Sequence, residues 1–159
     1  MKTLIVYASK YGCTADCAKY LQTKLSDDVT LVDIEKTAKS VELSSFDTVI
    51  IGGSVYISKV SKKLRAFCDS NLDTLLSKKI GIFLCCALTD QSDEFLKTNF
   101  PATLLDHAVT TGIFGSEARL DKMSFLNKTI IKTVTKGDFS SFKISHDNID
   151  KFIQQMEQQ

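Results

Sequence analysis

The chain has 159 residues, a length that fits one domain able to bury most of its apolar surface. With 43% hydrophobic and 25% charged residues it has the balance of an ordinary soluble globular protein. A net charge of +1 gives no reason to expect a nucleic-acid partner, and the N-terminus carries no basic leader, cleavage site or long apolar run, so an uncleaved cytoplasmic protein is expected.

Apolar runs alternate with helical patterns along the whole chain. Residues 3–8 read as a strand, and residues 14–25 as a helix with Ala18, Leu21 and Leu25 on one face. A second strand spans 29–34, and a third, 47–53, ends in Gly52 and Gly53. Residues 59–76 carry Leu64, Phe67, Cys68, Leu72 and Leu75 at helical spacing. Residues 79–86 form a fourth strand whose near-continuous apolar run expects cover on both faces. A helix over 92–104 is limited by Pro101. A fifth strand covers 108–115, and a last helix covers 147–158, capped near Ser145.

Five strands with helical crossovers predict an α/β fold, a doubly wound parallel sheet of order 2-1-3-4-5. Ligands of such sheets sit beyond the C-terminal strand ends, near the switch between strands one and three. The loops 9–14, 54–59 and 86–90 are therefore expected to meet at one site. Residues 116–142 are too long for a simple connection and should carry structure or function of their own. Within them Met123, Leu126, Ile130, Ile131 and Val134 recur at helical spacing, with Lys122, Lys128, Lys132 and Lys136 on the polar face. That pattern fits a helix packed on the domain, or a basic amphipathic surface for a membrane, a quinone or a partner.

Five cysteines in a chain without a leader argue against a disulfide framework. Cys13 and Cys17 are one helical turn apart, but no His or second Cys pair completes a metal-ligand set, so no metal is expected and buried thiols are the simpler account. His107 precedes a strand and His146 opens the last helix; neither is expected to move protons.

The first loop lacks the lysine and glycine spacing of a nucleotide P-loop and the three glycines of a dinucleotide fingerprint. It offers instead the hydroxyls of Ser9, Tyr11 and Thr14, with Gly12 allowing close backbone approach. Such a turn either caps the helix or, beside the positive end of the helix dipole, holds one monophosphate on neutral donors. Lys10 contributes its backbone N–H more than its ammonium to that geometry.

Ser9-Lys10-Tyr11-Gly12-Cys13-Thr14 resembles the phosphate loop of the flavodoxin family. Ser54-Val55-Tyr56-Ile57, after Gly52-Gly53, resembles the family's second loop, with Tyr56 where an aromatic lies against the flavin. Cys86-Ala87-Leu88-Thr89 corresponds to its third. The resemblance covers nearly the whole chain, 1–159 as one domain with a basic amphipathic insertion at about 116–142. It implies a flavodoxin-like three-layer fold, FMN as cofactor and electron transfer through the flavin.

Three departures bear on mechanism. Ile57 stands where many flavodoxins have a glycine able to flip its peptide, and positive φ is costly for a β-branched residue. Lys59, Lys62, Lys63 and Arg65 follow loop two where the family has acids, which should ease reduction to an anionic flavin. Leu88 replaces an aromatic cover on loop three. With the segment 116–142, these features are similar to the menaquinone-dependent protoporphyrinogen oxidase branch. Partners implied are a redox protein, or a quinone and a reduced small-molecule substrate, with peripheral membrane contact through 116–142. A response-regulator-like receiver shares the strand order, but Ser9-Lys10 and Gly52-Gly53 stand where it needs its acids.

Overall fold

The computed structural model describes residues 1–139 and 142–159. Strands β1 (Lys2–Ala8), β2 (Asp28–Asp33), β3 (Thr48–Ser54), β4 (Lys79–Cys85) and β5 (Thr110–Ile113) are all parallel and lie in the order β2-β1-β3-β4-β5. The helices are α1 (Cys13–Lys24), α2 (Lys62–Ser70), α3 (Leu72–Leu75), α4 (Ser92–Asn99), α5 (Ala102–His107), α6 (Phe125–Thr135) and α7 (His146–Gln158).

Because side chains alternate across a strand, each inner strand feeds two cores. Leu4, Val6, Val49, Ile51, Ile80 and Ile82 pack with Leu64 and Phe67 of α2, Leu75 of α3, Phe95 of α4 and Leu104 of α5. Ile5, Tyr7, Ile50, Phe83 and Cys85 pack on the other face with Ala18 and Leu21 of α1 and Ile149, Phe152 and Met156 of α7. The result is a flavodoxin-like three-layer α/β sandwich, with β1, β3 and β4 covered on both sides as their apolar runs require. Gly52 sits opposite Phe83 in the register, and a Cβ there would lie 2.0 Å from the Phe83 ring. Only glycine lets that ring lie flat on the sheet.

Differences from the expected elements have local causes. The helix expected over 59–76 starts at Lys62 and breaks at Asn71, whose side-chain Nδ2 donates to Phe67 O at 2.9 Å. The helix expected over 92–104 stops at Phe100 and restarts after Pro101, both in extended conformation. Ser145 caps α7 as expected, accepting from Asn148 N–H.

In the segment 116–142, residues 140 and 141 lie outside the described residues. A short turn, Leu120–Lys122, precedes α6, which Ser124 caps by accepting from Asn127 N–H. The helical spacing is borne out, and of its apolar residues Leu126 and Val134 are exposed, as is Phe125, while Ile130 and Ile131 are half-buried, so the helix is not packed on the domain along its whole apolar face. Among the described residues no helix is long and apolar enough to cross a membrane.

Candidate functional site

The loops after β1, β3 and β4 converge at the C-terminal edge of the sheet. Ser9, Lys10, Tyr11, Cys13, Thr14, Ser54, Val55, Tyr56, Ile57, Cys86, Ala87 and Leu88 all line one cavity of about 590 Å³. Of the residues singled out in the sequence, Gly12 and Thr89 are not in its wall; Gly12 shapes the first loop from behind and Thr89 opens the exposed turn Thr89–Gln91.

Gly12 holds the first loop in the left-handed region, at φ 95°, and its N–H donates to Ser9 Oγ at 3.0 Å. α1 therefore begins with a glycine and no side-chain cap, leaving its first-turn amides without intrahelical acceptors. Thr14 is fully buried there, and its Oγ1 has no hydrogen-bond partner among the described residues. Buried hydroxyls are ordinarily paired, so this orphan beside the positive end of a helix marks a place suited to an anion.

Loop two is a tight hairpin. Tyr56 and Lys59 exchange backbone hydrogen bonds of 2.9 and 3.1 Å, and Ile57 and Ser58 between them take φ of 47° and 64°. Positive φ at both central residues is the pattern of a type I′ turn, usually given to Asn-Gly. Ile57 thus adopts the conformation its branching disfavours. Asn99, buried at the end of α4, supports it: Oδ1 accepts from Val60 N–H at 2.9 Å and Nδ2 donates to Ser58 O at 2.9 Å and Phe95 O at 2.8 Å.

Tyr56 offers a flat ring, one face of which carries the Lys10 ammonium 3.5 Å from its centroid. A planar ligand stacking on that face would displace the ammonium. Beside it lies a second hollow of about 540 Å³, lined among others by Lys10, Glu35, Lys59 and Ser61. Of the four cations after loop two, only Lys59 lines either hollow among the described residues, and Lys63 is turned to Glu35 O at 3.3 Å. The positive charge near Tyr56 therefore comes from Lys10 and Lys59, not from Lys62, Lys63 and Arg65.

Several site residues were not legible in the sequence. Arg119 reaches loop one, donating through Nη1 to Tyr11 O at 3.3 Å and through Nη2 to Asp16 Oδ2 at 2.6 Å and Glu117 Oε2 at 2.9 Å. These hydrogen bonds, the one to Asp16 foremost, hold its guanidinium more firmly protonated than usual. Asn127 on α6 accepts from the Tyr56 hydroxyl and donates through Nδ2 to the Tyr11 hydroxyl at 2.5 Å. It thereby joins loops one and two under α6. Met123, Ile130, Ile131 and Val134 complete the cavity's apolar wall.

The cysteines differ in environment. Burial pushes the Cys86 thiol up to about 11, which leaves it a poor nucleophile at neutral pH. Cys13, Cys17 and Cys85 come together below loop one, so the pair one helical turn apart gains a third thiol from the end of β4. Hydrogen bonds from Cys17 and then Cys85 lower the Cys13 thiol, while the same contacts raise the other two.

A family model described as a flavodoxin domain matches residues 4–143. Among solved structures, the fold is similar to oxidised flavodoxin 1 from Bacillus cereus, at 16% identity and a TM-score of 0.56 over 99% of this chain and 98% of that one. It is similar to a flavodoxin, WrbA-like protein from Agrobacterium tumefaciens, at 18% identity and 0.56 over 97% and 98% of the two chains. It also resembles the apo form of an NADH:FMN oxidoreductase, at 11% identity and 0.59 over 99% and 88%. At these identities the likeness concerns the fold. No curated protein sequence matches this chain significantly.

Proposed function

This chain belongs to the flavodoxin-domain family, and from that premise we propose that it is an FMN-binding redox protein exchanging electrons through its flavin. The observation that carries the reading is Thr14, whose buried hydroxyl, without a partner among the described residues, stands in a cavity wall shared by all three loops. Ser9, Lys10, Tyr11, Gly12, Cys13 and Thr14 would hold the phosphate, on hydroxyls and on the free amides of the first turn of α1. Ser54, Val55, Tyr56 and Ile57 would flank the ring system on one side, and Cys86, Ala87, Leu88 and Thr89 on the other. FMN would supply the redox chemistry; the chain sets its position, access and electrostatics. Lys10 and Lys59 place positive charge beside that position, which favours the anionic reduced ligand.

The visible spectrum of the purified protein tests this, with flavin bands expected at about 370 and 450 nm and stepwise reduction separating one-electron from two-electron exchange. A colourless protein unable to take up added FMN overturns it.

The apolar wall from α6 favours a second reading, in which the chain oxidises a reduced flat substrate such as protoporphyrinogen with a quinone as acceptor. Exposed Phe125 and Leu126 with Lys122, Lys128, Lys132 and Lys136 would then meet a membrane surface where the quinone resides. On this reading 1–159 is one domain working at the cytoplasmic face, and 116–142 its substrate-side insertion. Turnover of protoporphyrinogen with a quinone, lost on deleting 116–140, supports it. Fast exchange with a redox partner protein in the absence of such turnover leaves the electron carrier.

A further inference from the structure

Cys13 and Cys17 lie one turn apart on α1, and Cys85 is the last residue of β4, facing the same core as Phe83. Their three sulfurs lie within 4.8 Å of one another, with Cys17 Sγ and Cys85 Sγ 3.8 Å apart. All three are buried and free. Chain positions 13, 17 and 85 would not meet without the β1–β3–β4 neighbourhood that brings the end of β4 under the first turn of α1.

We propose that these three thiols form a three-coordinate site for a soft monovalent cation, Cu(I). The spacing fits. Metal–thiolate bonds of about 2.3 Å put trigonal sulfurs about 4.0 Å apart, so the cluster needs only a small contraction of its longer edges. The ligand number selects among metals. No fourth Cys, His, Asp or Glu joins the cluster among the described residues, so zinc, which asks for a tetrahedral set, is poorly served. Thiolate-only ligation suits Cu(I). The three cysteines belong to the buried cluster that also holds Ile5, Ala18, Phe83 and Phe114, an apolar setting that suits a soft cation better than a hard one. Binding is ligation alone: the ion enters as Cu(I), each ligating thiol releases its proton to solvent, and nothing is oxidised or reduced. The negative charge left on the sulfurs faces the positive end of α1, against whose first turn the Arg119 guanidinium lies, itself paired with Asp16 and Glu117. Cys13, nearest the surface, is the point of entry.

The proposal does not rest on the flavin reading, and its test does not use flavin. The full-length reduced protein is titrated anaerobically with Cu(I) buffered by bathocuproine disulfonate. Wild type is expected to withdraw one Cu(I) per chain from the chelator. Cys68→Ala, which removes a buried thiol from the opposite core, should do the same. Cys17→Ala and Cys85→Ala should each bind more than about 100-fold more weakly, since even outer-shell partners of a metal contribute 10–100-fold. X-ray absorption of the copper-loaded wild type should show three sulfurs at about 2.3 Å. Equal affinity in wild type, Cys17→Ala and Cys85→Ala overturns the proposal, as does a copper with only two sulfurs. The absorption measurement needs no variant, so a substitution that fails to fold does not shelter the idea.

Discussion

Thr14 carries a cost in the protein without ligand. A buried hydroxyl that finds no partner is unfavourable by about 1–3 kcal/mol, and the penalty is relieved when an anion accepts from it. Replacing Thr14 by isosteric valine removes both the penalty and the donor. The ligand-free Thr14→Val protein should therefore melt at the same temperature as wild type or higher, while its FMN affinity falls by about tenfold, the worth of roughly 1.4 kcal/mol. Calorimetry of the ligand-free forms and quenching of flavin fluorescence read the two effects separately. A variant that loses stability and binds FMN normally would make Thr14 a packing residue and nothing more. At this scale the sequence was only half legible. The hydroxyls and Gly12 were readable, because a strand-to-helix turn has few ways to be built. Ile57 was not: branching argues against positive φ, and what overrides it are the Tyr56–Lys59 hydrogen bonds of the hairpin and the contact of Asn99, distant in sequence, with Ser58 O.

Two asparagines fix the elements around the cavity. Asn99 satisfies three backbone groups at once, holding the loop-two hairpin to α4. Asn99→Ala strands the buried Val60 N–H and a carbonyl, so a loss of about 2–3 kcal/mol is expected in chemical denaturation, with an unchanged denaturant slope. Asn127 works differently, because its partners are hydroxyls of the site itself. Asn127→Leu should leave the sheet intact and loosen α6 from loops one and two. Its readout is the rate of FMN release, expected to rise by about tenfold if the two hydrogen bonds together hold α6 over loops one and two by roughly 1.4 kcal/mol. An unchanged release rate would show that α6 does not gate the site. The strands and α1 and α7 were legible from periodicity alone, since each presents an apolar face to a full layer. The breaks at Asn71 and Pro101 were less so: a side-chain bond to a helix carbonyl is local but optional, whereas the proline did announce its limit. In α6 the pattern left a packed helix and an exposed amphipathic surface open, and it could not decide between them because the helix covers a cavity rather than a core, with Leu126 and Val134 exposed.

At the scale of the molecule, the strand order places three loops at one edge, and that consequence was readable before any coordinate. What topology alone did not reveal is which residues from elsewhere arrive there: Arg119 over loop one, Asn127 between two tyrosines, Cys85 beside Cys13 and Cys17. Each joins positions more than sixty residues apart, and no local rule encodes such a meeting. The convergence has a thermodynamic consequence. A ligand that grips loops following β1, β3 and β4 binds only the folded chain, because unfolding scatters its contacts. Free FMN at 100 times its dissociation constant should then add about 2.7 kcal/mol to stability. For a chain of this size that corresponds to a rise in melting temperature of roughly 5–10 °C. The rise should continue with the logarithm of FMN concentration above saturation, and in Thr14→Val the same curve should appear displaced to about tenfold higher FMN. Riboflavin, lacking the phosphate, should give little of it, because the orphaned Thr14 hydroxyl and the first-turn amides of α1 would stay unpaired. If riboflavin and FMN raise the melting temperature equally, the ring and not the phosphate holds the ligand, and loop one is merely the cap of a helix.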